Sequence, residues 1–302
     1  MQLKNWMVAL DLTQMDQFLL EYVNFLAELL EPEEITFLHI VEQQNLAEEV
    51  AELFPEAADA DQFHEMIREE IYEKVEEQIK TECETSILIV SGSPTDTMIQ
   101  TMQQYHPDLL VMGKKSGFEG KGIIANKIVK YVPGSVLLVP ETSRFNLENI
   151  LVPINFNEYS AKALQFTTGI SGVSGASLTA QHVYNYPTQF FPSIPAEQFE
   201  EEMQEPLKKK LNKFKRKYSL SEEIDYIFTL NNSKKIPDLV YDQSIRQKSD
   251  LIVVGARNRS TLSNVLMDEL ADRMMNYSFG IPILIYKDKK EFKGLIESLI
   301  SR

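Results

Sequence analysis

Short apolar runs and helix-period stretches alternate along the whole chain. Residues 5–10 (NWMVAL) are brief, apolar and stopped at Asp11, which predicts a strand buried on both faces. From Gln14 to Leu30 the apolar positions Phe18, Leu19, Tyr22, Phe25, Leu26 and Leu29 recur at helical spacing. Residues 35–41 (ITFLHIV) predict the second strand. The acidic stretch 42–82 predicts a loop and then a helix over about 61–82. A strand over 86–90 leads to Gly92-Ser93-Pro94-Thr95, a turn and helix start with Pro in the first turn, and that helix runs to about Tyr105. A strand over 108–112 closes at Gly113, a helix follows over 123–131, and residues 135–139 form the last strand of the set.

The same order then recurs. Residues 149–154 (NILVPI) match 5–10, a helix over 161–170 follows, and 177–183 (SLTAQHV) match ITFLHIV, with His182 where His39 stands. Strand 223–230, helix 235–247, strand 250–254 ending at Gly255, a helical pattern through Asn276 and strand 281–285 complete the second set. The offset is nearly constant: 144 from Asp11 to Asn155, 143 from His39 to His182, 142 from Gly113 to Gly255. This is an internal duplication of a βαβαβαβαβ unit. The fold class that follows is α/β: two Rossmann-like domains, each an open five-stranded parallel sheet with helices on both faces. The expected boundaries are 1–141 and 148–288, with an amphipathic helical tail over 289–302. The short linker predicts that the halves pack against each other.

Composition narrows the role. There is no long apolar run and no charged-then-apolar leader, which predicts a soluble, unexported protein without a membrane span. One cysteine, Cys83, excludes an intrachain disulfide framework and fits a reducing cytoplasm, and its acidic surroundings (KTECETS) disfavour a thiolate. The net charge of −15 is uneven: residues 1–147 hold 10 Lys+Arg against 26 Asp+Glu, and residues 148–302 hold 20 against 19. The acidic half argues against nucleic acid as a general partner. The basic run 208–217 (KKKLNKFKRK) could be a local anion patch, or a solvated helix face balancing the acidic run 200–205. Residues 185–218, with Tyr186, Phe190, Phe191 and Phe199 among prolines, suggest a lid.

A first strand ending in Asp, a second strand ending FLHI, a Gly-Ser-Pro helix start, a DLLVMG strand and a closing SVLLVP strand together resemble the universal stress protein family. Their recurrence resembles a tandem member with adenine nucleotide alpha hydrolase-like domains. The resemblance implies a non-catalytic binding or signalling role in the stress response. It also implies dimer-like pairing of the two halves through their last strands, 135–139 and 281–285. A homodimer is a further expectation. Nucleotide-binding members of the family carry Gly-x2-Gly-x9-Gly-Ser/Thr after the fourth strand, where glycines admit backbone amides to phosphates. On that pattern the candidate nucleotide residues in the first half are Leu10, Asp11, Ile40, Val41, Met112, Gly113, Lys114, Ser116, Gly122 and Ser135. Ser116 replaces the second Gly, and Gly122-Ile123 stands where Gly-Ser/Thr belongs. The degenerate second site comprises Asn155, Gly255, Arg257, Asn258, Asp268 and Glu269, with carboxylates where the family places its phosphate contacts. The expectation is that the second half does not take ATP. ATP binding or slow hydrolysis through the first half is the alternative, and another small anionic or lipid-like ligand is a third. Arg257 and Arg259 could hold an anion.

No other chemistry is spelled out. His39 and His182 end paired strands and read as packed, hydrogen-bonded histidines. His64, His106 and Cys83 lack metal-type spacing, although His64 with Glu65 and Glu69 could make an adventitious surface metal site. No G-x-S-x-G, Cys–His–Asn set or Walker loop occurs.

Overall fold

The computed structural model describes residues 3–42, 60–114, 123–186, 195–257, 269–275 and 280–288. Two compact units divide the chain, Met1–Glu141 and Thr142–Arg302. In unit 1 the elements run β1 (Asn5–Leu10), α1 (Gln14–Leu30), β2 (Glu34–Val41), α2 (Ala60–Gln78), β3 (Glu84–Ser91), α3 (Pro94–Tyr105), β4 (Leu109–Lys114), α4 (Ile123–Tyr131) and β5 (Ser135–Pro140). Its strands lie in the order β3-β2-β1-β4-β5, every neighbouring pair parallel. Unit 2 repeats this with β6 (Asn149–Ile154), α5 (Glu158–Ser174), β7 (Ser177–Asn185), α6 (Ala196–Tyr218), β8 (Asp225–Asn231), α7 (Ile236–Arg246), β9 (Leu251–Ala256), α8 (Glu269–Met275) and β10 (Ile283–Lys287). The order is β8-β7-β6-β9-β10, again all parallel. The parallel two-domain α/β architecture expected from the alternation is therefore the observed one. Among the described residues no helix is long and apolar enough to cross a membrane.

Helices cover both faces because consecutive strand residues point oppositely. In β7, Gln181 reaches the Leu239 carbonyl in α7, while the next residue, His182, packs tilted against Phe156, which in turn meets Phe214 of α6. The central strands are accordingly apolar throughout, and Trp6, Tyr22 and Phe37 are fully buried in unit 1. The Trp6 indole donates to the Leu3 carbonyl at 3.0 Å, so its one polar atom is satisfied.

At the amino edge each sheet is tied by one carboxylate. Asp108 Oδ2 accepts from the Lys4 and Asn5 amides, and Asp250 Oδ2 accepts from those of Glu148 and Asn149, all at 2.9–3.1 Å. Arg144 adds an ion pair to the wholly buried Asp250 side chain at 2.9 Å.

Several boundaries differ from the sequence reading, for local reasons. α2 stops at Gln78 rather than 82, and the Asn24 side chain takes the Lys80 amide at 2.7 Å just beyond it. α5 is longer than 161–170: Asn157 caps its start by accepting from Ser160 N, and Gly175 closes it in the left-handed conformation at φ 74. Residues 196–218 of the expected lid form a single helix, α6, which continues through the exposed Pro206. Residues 187–194 of that stretch, and the tail over 289–302, lie outside the described residues.

β4 does not end at Gly113 but pairs on to Lys114, with Gly113 opposite Val139. There a Cβ would lie 2.8 Å from the Met15 side chain, in the first turn of α1. Its counterpart Gly255 is tighter: a Cβ would lie 2.1 Å from the Tyr159 carbonyl oxygen in α5. A flexible methionine can yield where a helix backbone has no room to. Gly255→Ala is therefore expected to destabilise the protein by upwards of about 2 kcal/mol and Gly113→Ala by about 1 kcal/mol or less. Urea unfolding of the two variants checks the order, and equal losses would refute it.

Candidate functional site

Ligands of open parallel sheets sit at the carboxyl edge, where strand order reverses. That point falls between β1 and β4 in unit 1 and between β6 and β9 in unit 2. The strand registers bring Leu10, Asp11, Ile40, Val41, Met112, Gly113 and Lys114 to this edge together. Ser135 is not among them. It opens β5 opposite Leu109, at the amino edge, and is buried there. As the first residue of β5 it stands at the end of the sheet away from the other candidates. Ser116 and Gly122 lie outside the described residues. In unit 2, Asn155 and Gly255 reach the carboxyl edge, Arg257 follows it exposed, and Glu269 opens α8, while Asn258, Arg259 and Asp268 lie outside the described residues.

The turn after the first strand is built alike in both units. Leu12 and Phe156 hold positive φ (58 and 62), which lets the chain reverse into the helix. Asp11 Oδ1 accepts from Thr13 N at 3.2 Å, and Asn155 Oδ1 from Asn157 N at 3.3 Å. The Asp11 and Leu12 amides donate to the buried Asp16 carboxylate at 3.1 and 2.7 Å, and the Asn155 amide donates to Ser160 Oγ at 3.1 Å. These amides are thus engaged by the protein's own side chains, not presented to a phosphate. The charge, however, differs. Unit 1 places two carboxylates in this turn. Burial raises the Asp16 pKa; the Asp11 amide opposes that rise and the Asp11 charge adds to it. Unit 2 has neutral Asn155 and Ser160 in the same places, hydrogen-bonded to each other at 2.9 Å.

Behind the turn the two histidines match. His39 Nδ1 donates to the Leu10 carbonyl at 3.0 Å and His182 Nδ1 to that of Ile154 at 2.9 Å. They are packed, satisfied groups that tie the second strand to the end of the first. His182 sits 4.3 Å from the Phe156 ring, with Lys210 over the same ring. Burial holds its pKa below the ordinary value, the Lys210 charge assists, and the Ile154 carbonyl opposes. Lys114 is half-buried, which lowers its pKa. Burial pushes the Lys287 ammonium down to about 7. Cys83 is raised by burial, against a hydrogen bond from Thr81, so its thiol is not activated.

Unit 2 also holds a hollow of about 130 Å³ at its carboxyl edge, between the ends of β6 and β7 and helices α7 and α8. Asn155, Val183, Val240, Leu270 and Arg273 line it, together with Gln181. Gln181 is 1% exposed. Its amide nitrogen donates to Thr229 Oγ1 at 2.9 Å and the Leu239 carbonyl at 3.3 Å, but its Oε1 has no partner among the described residues. It also borders an open groove of about 460 Å³ along β8. An unmatched buried acceptor is costly unless a donor arrives. The sequence reading missed Gln181, Asp16, Ser160 and Arg273. Comparing the repeats would have found Gln181, because Leu38 holds the same place in unit 1.

Elsewhere, a hollow of about 280 Å³ lies at the amino edge of unit 2, where Arg144 is already held by Asp250 and the Lys248 carbonyl. Among the described residues no group of His, Cys, Asp and Glu is placed to hold a metal ion, so His64, Glu65 and Glu69 do not form one. His64 instead pairs with Ser91 Oγ at 2.9 Å.

The sequence model of the universal stress protein family matches residues 3–140 and 146–287. A universal stress protein from Archaeoglobus fulgidus is similar in structure at 16% identity, TM-score 0.62, covering 94% of this chain and 98% of that one. A functionally unknown protein from Pseudomonas aeruginosa PAO1 is similar at 14% identity and TM-score 0.64, covering 99% and 98%. A protein from P. aeruginosa UCBPP-PA14 described as a putative universal stress protein is similar at 15% identity and TM-score 0.63, covering 100% and 99%. No curated protein matches the chain.

The His182 geometry sets a pH dependence. Its folded pKa lies below the 6.5 of an unperturbed histidine, so the unfolded chain binds more protons between the two values. Its contribution to stability is complete above about pH 6.5 and is lost as pH falls through that value toward the folded pKa. Urea unfolding between about pH 7.5 and 5.5 is expected to show this decline in the wild type and a weaker one in His182→Gln; identical slopes would exclude it.

Proposed function

The chain belongs to the universal stress protein family, and on that premise we propose that it is a non-catalytic binding protein of the stress response. Its ligand in unit 2 is not a nucleotide but a smaller molecule. The observation that carries this reading is the unpartnered Gln181 Oε1 beside a hollow of about 130 Å³. Such a space is below the roughly 300–1,000 Å³ of pockets that enclose drug-sized ligands, and nucleotides are at least as large. Gln181 calls for an N–H or O–H donor, and Arg273 at the rim suits an anionic group. A short hydroxy or amino carboxylate meets both. No acid–base or nucleophile–base pair is assembled at this edge among the described residues, which supports binding rather than turnover.

A second reading, adenine-nucleotide binding through unit 1, is favoured by the convergence of Asp11, Gly113 and Lys114 on one edge. The buried Asp16 carboxylate in the same turn opposes it. We also propose that the two repeats pair through β5 and β10. Each is an outer strand of its own unit's sheet, and β5 (SVLLVP) carries no charge, so an uncovered edge would be a liability.

Thermal shift assays separate the readings. Glycolate, lactate or glycine at millimolar concentration is expected to raise the melting temperature of the wild type but not of Gln181→Leu, whereas ATP with Mg²⁺ leaves it unchanged. A rise with ATP that Asp11→Ala removes would replace the first reading by the second. For the pairing, a protease site inserted between Glu141 and Thr142 is expected to yield halves that still co-elute after cleavage; separation of two folded halves would refute it.

A further inference from the structure

Helices α2 and α6 occupy the same place in the two repeats, after the second strand of each. Aligned at an offset of 140, Ile67 matches Leu207 and Ile71 matches Leu211, all buried; the next buried residues, Val75 and Phe214, fall one position apart. The match extends to exposure: residues 61–73 and 201–213 are buried, half-buried or exposed in the same order, position by position. On this common frame the outward residues have opposite charge. Glu69, Glu73, Glu76 and Glu77 in α2 stand where α6 has Lys209, Lys213, Arg216 and Lys217. The spacing i, i+4, i+7, i+8 puts each set on one helix face.

Neither stripe is neutralised by ion pairs, although Lys217 also lies 4.7 Å from the Tyr218 ring centroid. Among the described residues no ion pair engages any of these eight side chains, although Glu65, Glu70, Lys208 and Lys215 beside them do form pairs. The basic set lines an open groove of about 560 Å³ with Asn212. Cations near the carboxyl end of α6 also suit its dipole, so that stripe alone has a local explanation. The acidic stripe has none. Glu73, Glu76 and Glu77 lie toward the end of α2, where the dipole disfavours them; the one cation there, Lys80, caps the Glu76 carbonyl at 2.6 Å and pairs with none of the stripe's carboxylates among the described residues. Tyr72, 56% exposed within the acidic face, adds a ring on which a lysine or arginine can sit.

We propose that these faces are complementary docking surfaces between two copies of this chain, the α2 stripe of one molecule meeting the α6 stripe of another. The second copy is the partner that the charges specify: a matched acidic and basic stripe of identical spacing, both presented by the same polypeptide. A reciprocal contact, α2 to α6 twice, closes a dimer. Exposed ion pairs are individually weak, so the association is dilute-labile, fast and salt-sensitive, with specificity supplied by the charge pattern.

Analytical ultracentrifugation of the full chain tests this. Self-association is expected at about 20 mM NaCl and to weaken at least tenfold by about 300 mM, as screening shortens the range of the charges. Reversing the basic stripe (K209E/K213E/R216E/K217E) or the acidic one (E69K/E73K/E76K/E77K) abolishes it in either variant alone. Mixing the two variants restores it, because one then carries two acidic faces and the other two basic ones. Circular dichroism confirms that these surface variants fold. A wild type that stays monomeric at low salt, an association indifferent to both reversals, or failure of the mixture to associate overturns the proposal. So does a monomer whose α6 stripe instead retains phosphatidylserine vesicles or duplex DNA.

Discussion

Each repeat depends on the registration of its first strand against its fourth, and a single carboxylate secures that registration. The two amides that open β1 and β6 emerge at the amino edge with no strand partner of their own. Asp108 and Asp250 take them in pairs and so join the start of the first strand to the residue just before the fourth. A carboxylate that accepts two amides is a strong link, because losing it strands both donors, the more so at the buried Asp250. With the amino ends pinned, the carboxyl ends are pinned as well, since parallel strands of equal length share one register. The turn after the first strand, the glycine of the fourth and the histidine of the second then meet at one edge. The candidate site follows geometrically from a contact at the far end of the sheet.

The architecture was legible because the chain writes it twice. Most strand and helix limits read from periodicity lie within a few residues of those observed, and the offsets between Asp11 and Asn155, His39 and His182, and Gly113 and Gly255 exposed the duplication. The two histidine hydrogen bonds carry that correspondence down to single atoms. What periodicity missed were features fixed by individual side chains. The reach of Asn24 to the amide of Lys80, the cap at Asn157 and the passage of α6 through Pro206 leave no periodic trace. The site was harder to read. Gly113 and Gly255 each mark a close approach, to the Met15 side chain and to the Tyr159 carbonyl. Ser135, a candidate by resemblance, stands at the opposite edge from the rest. Gln181 is one of several polar residues in β7, and only its unmatched oxygen sets it apart.

The units share their hydrogen-bonding skeleton and differ in the charge placed on it. At the first turn, Asp11 and Asp16 become Asn155 and Ser160 with the amide contacts largely preserved. On the helix after the second strand, four glutamates become four cations with the exposure pattern preserved. The helix swap leaves folding almost untouched, because surface charges contribute little to stability. It changes the electrostatic potential that a ligand or partner meets by far more.

The covalent joining of the two units has a consequence of its own. In an assembly of identical single-domain subunits, one substitution changes every copy of a site at once, so two sites can never be made to differ. Here each half is encoded separately yet always delivered in equal number. Asn155 can be neutral while Asp11 is charged, and a lysine can stand at 209 while a glutamate stays at 69. Asymmetry of this sort lets one molecule carry two unlike inputs, or two unlike surfaces, at a fixed ratio that no change in expression level can disturb.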